Sequence, residues 1–163
     1  MSLPTDIRSD IKLTAYIALG SNLGDSRATV LAAIKELSAQ AGLKLIAQSA
    51  LYRSKPYQAE GEDFVNAVIA MECWLNPVDL LKVTQRIENE YGRVRSFVNA
   101  PRTLDLDLIL FGQAQIQSEW LQIPHPRWTE RAFVMRPLQA IAPHLVSDAM
   151  LARVCEQAIE LLA

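Results

Sequence analysis

The chain has 163 residues, 50% hydrophobic and 21% charged, with a net charge of -2 and a pI near 5.7. That length suits one domain around one core, and no global positive field marks nucleic acid or an anionic membrane as a partner. Cys73 and Cys155 are far apart and without CxxC or His partners, which argues against a thiolate metal site or a disulfide scaffold and suits a reducing cytoplasm; no apolar run approaches the roughly 18 residues of a transmembrane helix.

Residues 1 to 12 are polar and read as a flexible tail on a single domain spanning 1–163. Tyr16 to Leu19 is a short apolar run ended by Gly20-Ser21-Asn22-Leu23-Gly24-Asp25, after which Val30, Leu31, Ile34, Leu37 and Ala41 recur at helical spacing. Strand, turn and helix follow from that pattern. The turn is neither GxGxxG nor a Walker loop, so turn and capping duty is the expectation ahead of anion binding. Leu43 to Arg53 alternates apolar and polar residues, and Phe64 to Trp74 is rich in Val, Ile and aromatics; both read as strands. Between them Ser54 to Asp63 forms a polar loop, holding Lys55, Pro56 and Gly61, that is long enough to reach over a site. Asn76-Pro77 caps a second helix whose buried side is expected at Val78, Leu81, Val83, Ile87 and Tyr91, and Gly92 ends it. Arg93 to Pro101 is loop, and Thr103 to Phe111 is the next strand. A short strand pair through Trp120 to Ile123 then precedes helices around Glu130 to Ala140 and Ala149 to Leu162.

The order β-α-β-β-α-β predicts an α+β, ferredoxin-like fold: an antiparallel sheet, both helices on one face, and a C-terminal extension. The opposite face is then expected to be free for a ligand.

Within Thr103-Leu104-Asp105-Leu106-Asp107-Leu108, side chains at i and i+2 share a face, which sets the two acids together and the leucines against the helices. A bare TLDLDL is equally well explained by two solvated acids. Paired carboxylates repel, however, and Asp is a poor strand former, so a divalent cation beside them gives the pattern a reason. Hard oxygen ligands favour Mg²⁺ completed by water and substrate phosphate. Arg93, Arg95 and Arg102 precede the acids, and His125, Arg127, Arg131 and Arg136 follow them. Guanidinium forks onto phosphate oxygens, so a metal pair within that group suits a polyphosphate. Phe64 and Asn66 share a strand face and offer a stacking plane and a hydrogen-bonding edge to a flat heterocycle. His125 stands between Pro124 and Pro126 on stiff backbone.

Taken together, Tyr16-Ile17-Ala18-Leu19-Gly20-Ser21-Asn22-Leu23-Gly24, Gly92-Arg93-Val94-Arg95, Pro101-Arg102-Thr103-Leu104-Asp105-Leu106-Asp107 and Pro124-His125-Pro126 resemble the 6-hydroxymethyl-7,8-dihydropterin pyrophosphokinase family, over about Thr14 to Val146. The resemblance implies transfer of diphosphate from ATP to the pterin hydroxymethyl group, release of AMP, and two Mg²⁺ ions. It implies that Asp105 and Asp107 bind metal, and that Phe64 and Phe133 sandwich the pterin while Asn66 reads its edge and Tyr52 lies near. It places Gln85, Glu88, Arg93, Arg95, Arg102, His125 and Arg131 at the ATP site. Arg93 and Arg102, with His125 a further candidate, would stabilise charge on the AMP side, and either Asp107 or a metal-bound hydroxide is a candidate to take the hydroxymethyl proton, unless the hydroxyl is activated by the metal alone. The chain departs from some members at Asn99, where a tryptophan stands nearby in those proteins, and at Trp120, Pro126 and Lys55, which stand for an arginine, a tyrosine and a proline. Two other classes compete: a nucleotide-sensing module, and a single-stranded nucleic-acid binder, against which the acid pair on the sheet face argues. A cytoplasmic monomer with small-molecule substrates, no nucleic acid and no membrane is the expectation.

Overall fold

The computed structural model describes residues 12–56, 61–92 and 104–162. The predicted tail up to residue 11 lies outside the described residues, and so does the loop at 93–103 with Arg93, Arg95, Asn99 and Arg102.

The elements run β1 (Leu13–Ser21), α1 (Ser26–Ser38), β2 (Leu43–Gln48), β3 (Tyr52–Ser54), β4 (Phe64–Cys73), α2 (Pro77–Glu90), β5 (Asp105–Phe111), β6 (Ile116–Gln117), β7 (Gln122–Ile123), α3 (Ala132–Ile141), α4 (Asp148–Ala152) and β8 (Ile159–Leu161). The main sheet is antiparallel with the order β5-β1-β4-β3-β8, and β2 shares the edge of β4 with β3. This is the ferredoxin-like arrangement. Val30, Ala33, Ile34 and Leu37 of α1 and Leu80 and Ile87 of α2 pack on one face with Ile17, Leu19, Ile69, Met71, Leu104, Leu106 and Leu108. As expected, Asp25 serves as a cap, its carboxylate accepting the Ala28 N–H at 3.1 Å.

Local physics moves several elements away from the sequence reading. Helix α1 stops at Ser38, which leaves Ala41 beyond it, and Leu31 is exposed. Helix α2 keeps most of the expected buried side, with Ile87 buried and Leu81, Val83 and Tyr91 partly buried against the core; the exception is at its start. Val78 is 42% exposed, and the buried stripe is Leu80, Thr84, Ile87 and Glu88. Two polar residues can occupy that stripe because both are satisfied: the Thr84 hydroxyl donates to the Leu81 carbonyl at 2.8 Å, and the Glu88 carboxylate accepts the Leu106 N–H at 3.1 Å.

The strand expected over Leu43 to Arg53 is divided into β2 and β3. At the break, Ser49 donates its N–H to the Val68 carbonyl at 2.9 Å, and its hydroxyl accepts the Val68 N–H at 3.0 Å. The side chain thus replaces the missing ladder bond while the edge bends. The predicted terminal helix is a five-residue α4, capped by Ser147, followed by a strand, β8, that pairs with β3.

The second sheet face is only partly free, contrary to expectation. Val134, Met135 and Leu138 of α3 bury Ala18, Val68 and Ile109 beneath them. Strand β5 serves both layers through a bulge: Ile17 pairs with Leu108 and Tyr16 with Leu110, so Ile109 is an extra residue that turns towards α3. The Ile109 carbonyl accepts the His125 N–H at 2.9 Å and so docks the segment after β7 onto β5.

Candidate functional site

The uncovered part of the second face is built from rows across the sheet. Asp105 lies opposite Gly20, Gly20 opposite Asn66, and Asn66 opposite Tyr52. Directly opposed residues on antiparallel strands project to one face, so these four stand in a line across β5, β1, β4 and β3. The neighbouring row sets Asp107 opposite Ala18 and Ala18 opposite Val68. Gly20 sits at a close approach: a Cβ there would lie 3.3 Å from Asn66 Oδ1, tight enough to press on that amide, and in ordinary contact with Phe64 Cδ1 at 3.7 Å. Asn66, only 3% exposed, donates from Nδ2 to Ser54 Oγ at 2.6 Å, which holds its amide plane.

The opposite wall is the start of α3, reached through a 3-10 turn at Trp128–Glu130. Arg131 Nη1 stands 4.0 Å from Asp107 Oδ2, and its guanidinium lies 5.5 Å from the Phe133 ring centre. Between the walls is a cavity of about 1010 Å³, lined by Phe64, Asn66, Asp105, Asp107, Arg131 and Phe133 together with Gly20, Ser54, Lys55 and Arg127. A volume of that order admits more than one small molecule.

A second hollow of about 290 Å³ also borders Asp107, between apolar Leu81, Leu106, Leu108 and Leu121 and the polar Ser118, Glu119, Gln122 and His125. Trp120 borders it and is 73% exposed. Asp107 lines both spaces and marks their junction. His125 Nδ1 accepts the Arg127 N–H at 3.1 Å, which puts the proton of the neutral ring on Nε2. Burial lowers the His125 pKa from its ordinary value, and the positive charges of Arg131 and Arg127 push it the same way.

Phe64, Asn66, Asp105, Asp107, Arg131 and Phe133 are therefore brought together, and His125 stands next to them. Tyr52 lies one place beyond Asn66 in the same row but is buried and outside the cavity lining. Glu88 is 5% exposed and bonded to β5 backbone, and Gln85 is exposed on α2; neither lines either space. Gln157 and Ala158 join the lining unforeseen, since a C-terminal helix was expected there and carried no site signal.

Among the described residues no group of three or more His, Cys, Asp or Glu side chains could hold a metal ion. Asp105 and Asp107 are hard oxygen donors on one sheet face, and a cation held there would be completed by water and ligand oxygens, which would suit Mg²⁺ better than a softer metal.

Comparison with known proteins adds an independent finding. The family described as 7,8-dihydro-6-hydroxymethylpterin-pyrophosphokinase matches residues 16–143. The 2-amino-4-hydroxy-6-hydroxymethyldihydropteridine pyrophosphokinase of Haemophilus influenzae is 47% identical over 135 residues, covering 82% of this chain and 84% of that protein. The protein of the same name from Bacillus subtilis is 39% identical over 146 residues, covering 89% and 87%. Among solved structures, wild-type HPPK-DHPS of Plasmodium falciparum superposes with a TM-score of 0.64 at 16% identity over 90% of this chain. A further HPPK-DHPS, crystallised with substrates, reaches 0.67 at 13% identity over 88% of this chain. This chain spans 42% of each of those two longer proteins, and at such identities the likeness is one of fold.

Proposed function

This chain belongs to the 7,8-dihydro-6-hydroxymethylpterin-pyrophosphokinase family, and on that premise we propose that it transfers diphosphate from ATP to the hydroxymethyl group of 6-hydroxymethyl-7,8-dihydropterin, releasing AMP, in folate biosynthesis. One observation carries the reading: β5 presents Asp105 and Asp107 from the same sheet face as Phe64 and Asn66, inside one cavity walled by Arg131 and Phe133.

The residues divide the work by position. Phe64 and Phe133 take the two faces of the pterin ring and Asn66 its polar edge, with Tyr52 supporting Asn66 from the next strand. Asp105 and Asp107 would hold Mg²⁺, two ions in the expected complement, which when bound supplies neutralisation of phosphate charge and alignment of the transferring group. Arg131 meets the phosphates where the larger cavity borders Asp107, and His125 donates from Nε2 on the side of the smaller one. Arg93, Arg95 and Arg102 belong to the phosphate site by resemblance, with Arg93 and Arg102 on the AMP side. Asp107, common to both spaces, is the residue best placed to receive the hydroxymethyl proton. Gln85 keeps its proposed place on the nucleotide side of α2, and Glu88 serves that side by fixing β5. Positioning and charge neutralisation account for the chemistry without a covalent enzyme intermediate.

The chain is further proposed to act as one domain and as a monomer in the cytoplasm. Among the described residues no helix is long and apolar enough to cross a membrane. The deciding assay incubates purified protein with ATP, Mg²⁺ and 6-hydroxymethyl-7,8-dihydropterin and resolves AMP from ADP, with controls lacking pterin or metal. Pterin-dependent AMP and a diphosphorylated pterin are expected. ADP in place of AMP would mean ordinary kinase chemistry, and tight ATP binding without turnover would mean a nucleotide sensor.

A further inference from the structure

We propose that Gln157 is a positioning residue for the pterin pocket, a clamp that sets the spacing between the Phe64 and Phe133 walls; this rests on the pterin-binding reading of those two rings. Helix α3 starts without help from its own sequence. Its N-cap, Arg131, makes no side-chain capping bond, although the first N–H groups of a helix need partners. Gln157 supplies one from 25 positions away: its Oε1 accepts the Ala132 N–H at 2.8 Å, and its Nε2 donates to the Glu130 carbonyl at 2.7 Å. A single amide therefore holds the backbone on both sides of Arg131, immediately before Phe133.

The same residue is tied to the other wall. Two positions on, Ile159 pairs with Ser54, and Ser54 pairs with Phe64 while its hydroxyl accepts from Asn66. A short circuit results, from Phe64 through Ser54, Ile159, Gln157 and Ala132 to Phe133. Every link is a strand pairing, a hydrogen bond or a few bonds of main chain. Gln157 and Ala158 line the cavity at the point where this circuit crosses it. Gln157 lies beyond the residues 16–143 that match the family, while both walls it links lie within them. Pocket width in this protein is thus governed by a segment outside the matched region.

The test compares wild type with Gln157→Ala and Gln157→Glu, following AMP release against varied pterin and, separately, varied ATP, with Tm measured for each protein. Gln157→Ala is expected to raise the pterin KM about 5- to 20-fold, the effect of one or two lost hydrogen bonds, and to leave the ATP KM within about twofold. Gln157→Glu keeps an acceptor for the Ala132 N–H, favoured at a helix N-terminus, but loses the donor to Glu130; its pterin KM should fall between the other two. A pterin KM equal to wild type in Gln157→Ala, whatever its Tm, overturns the clamp, as does an equal rise in both KM values. If Gln157→Ala does not fold, Gln157→Glu carries the same comparison against wild type, and an unchanged pterin KM there overturns the clamp. A wild-type chain that releases no pterin-dependent AMP overturns the functional reading and the clamp with it, whereas an active wild type beside an unaltered variant overturns the clamp alone.

Discussion

Asp107 lines both hollows of the site, so its carboxylate is where chemistry and stability part company. Asp107→Asn relieves the repulsion between two neighbouring acids but also gives up the part-exposed ion pair with Arg131 at 4.0 Å, so Tm should shift by only a few degrees, while AMP release falls about a thousandfold or more, the scale of losing several kcal/mol of charge stabilisation. Unfolding of that variant would contradict the placement. His125 offers a pH test. Its folded pKa is lowered by burial and by Arg131 and Arg127, so below about pH 6.5 the unfolded chain binds a proton that the folded chain resists. Stability is therefore indifferent to this group above that pH and declines as pH drops towards the folded pKa. Thermal melts of His125→Asn should show a shallower acid-side decline than wild type. At this scale the sequence was informative: the i, i+2 rule alone puts Asp105 with Asp107 and Phe64 with Asn66. Gln157 was illegible, because its partners lie 25 to 27 positions away and nothing local distinguishes it from a surface glutamine.

Elements are held in register by a few satisfied polar groups. Glu88 is the tie between α2 and β5, and Glu88→Ala, which strands the buried Leu106 N–H, should cost about 2–3 kcal/mol in denaturant unfolding; Glu88→Gln, still able to accept, should cost less. Ser49→Ala removes the hydroxyl that accepts from the fully buried Val68 and should cost about 1–3 kcal/mol by the same measurement. These bonds also account for the element boundaries that the sequence pattern does not show. Alternation continues through Ser49 to Leu51, so a bend repaired by a side-chain hydroxyl leaves no trace in the pattern. In helix α2 the aliphatic residues understate the buried stripe, which Thr84 and Glu88 share because their polar atoms are paired. The C-terminal stretch has an apolar content that suits a helix, but β3 presents an open edge, and pairing with it decides the conformation of Ile159–Leu161.

Across the whole molecule, β4 is the spine, paired with β1, β2 and β3 and sandwiched between α1–α2 and α3. Ala67, Val68, Ile69 and Met71 are buried to 0% exposure, so their amides should exchange hydrogen only through global unfolding, while the β6–β7 pair should exchange by local opening; native-state hydrogen exchange distinguishes the two. The layering of α1 and α2 could be read from local periodicity. The cover provided by α3 could not, since Val134, Met135 and Leu138 announce burial without saying against which face. The row through Asp105, Gly20 and Asn66 has a metrological consequence. Two inter-strand steps separate the acid from the amide, about 10 Å between their backbones. The sheet is a graduated ruler, and this gauge length changes only by whole divisions, however far the surrounding loops drift. A bisubstrate inhibitor joining a pterin mimic to a phosphate mimic must match that graduation, so its linker length is dictated by the pitch of a hydrogen-bonded sheet.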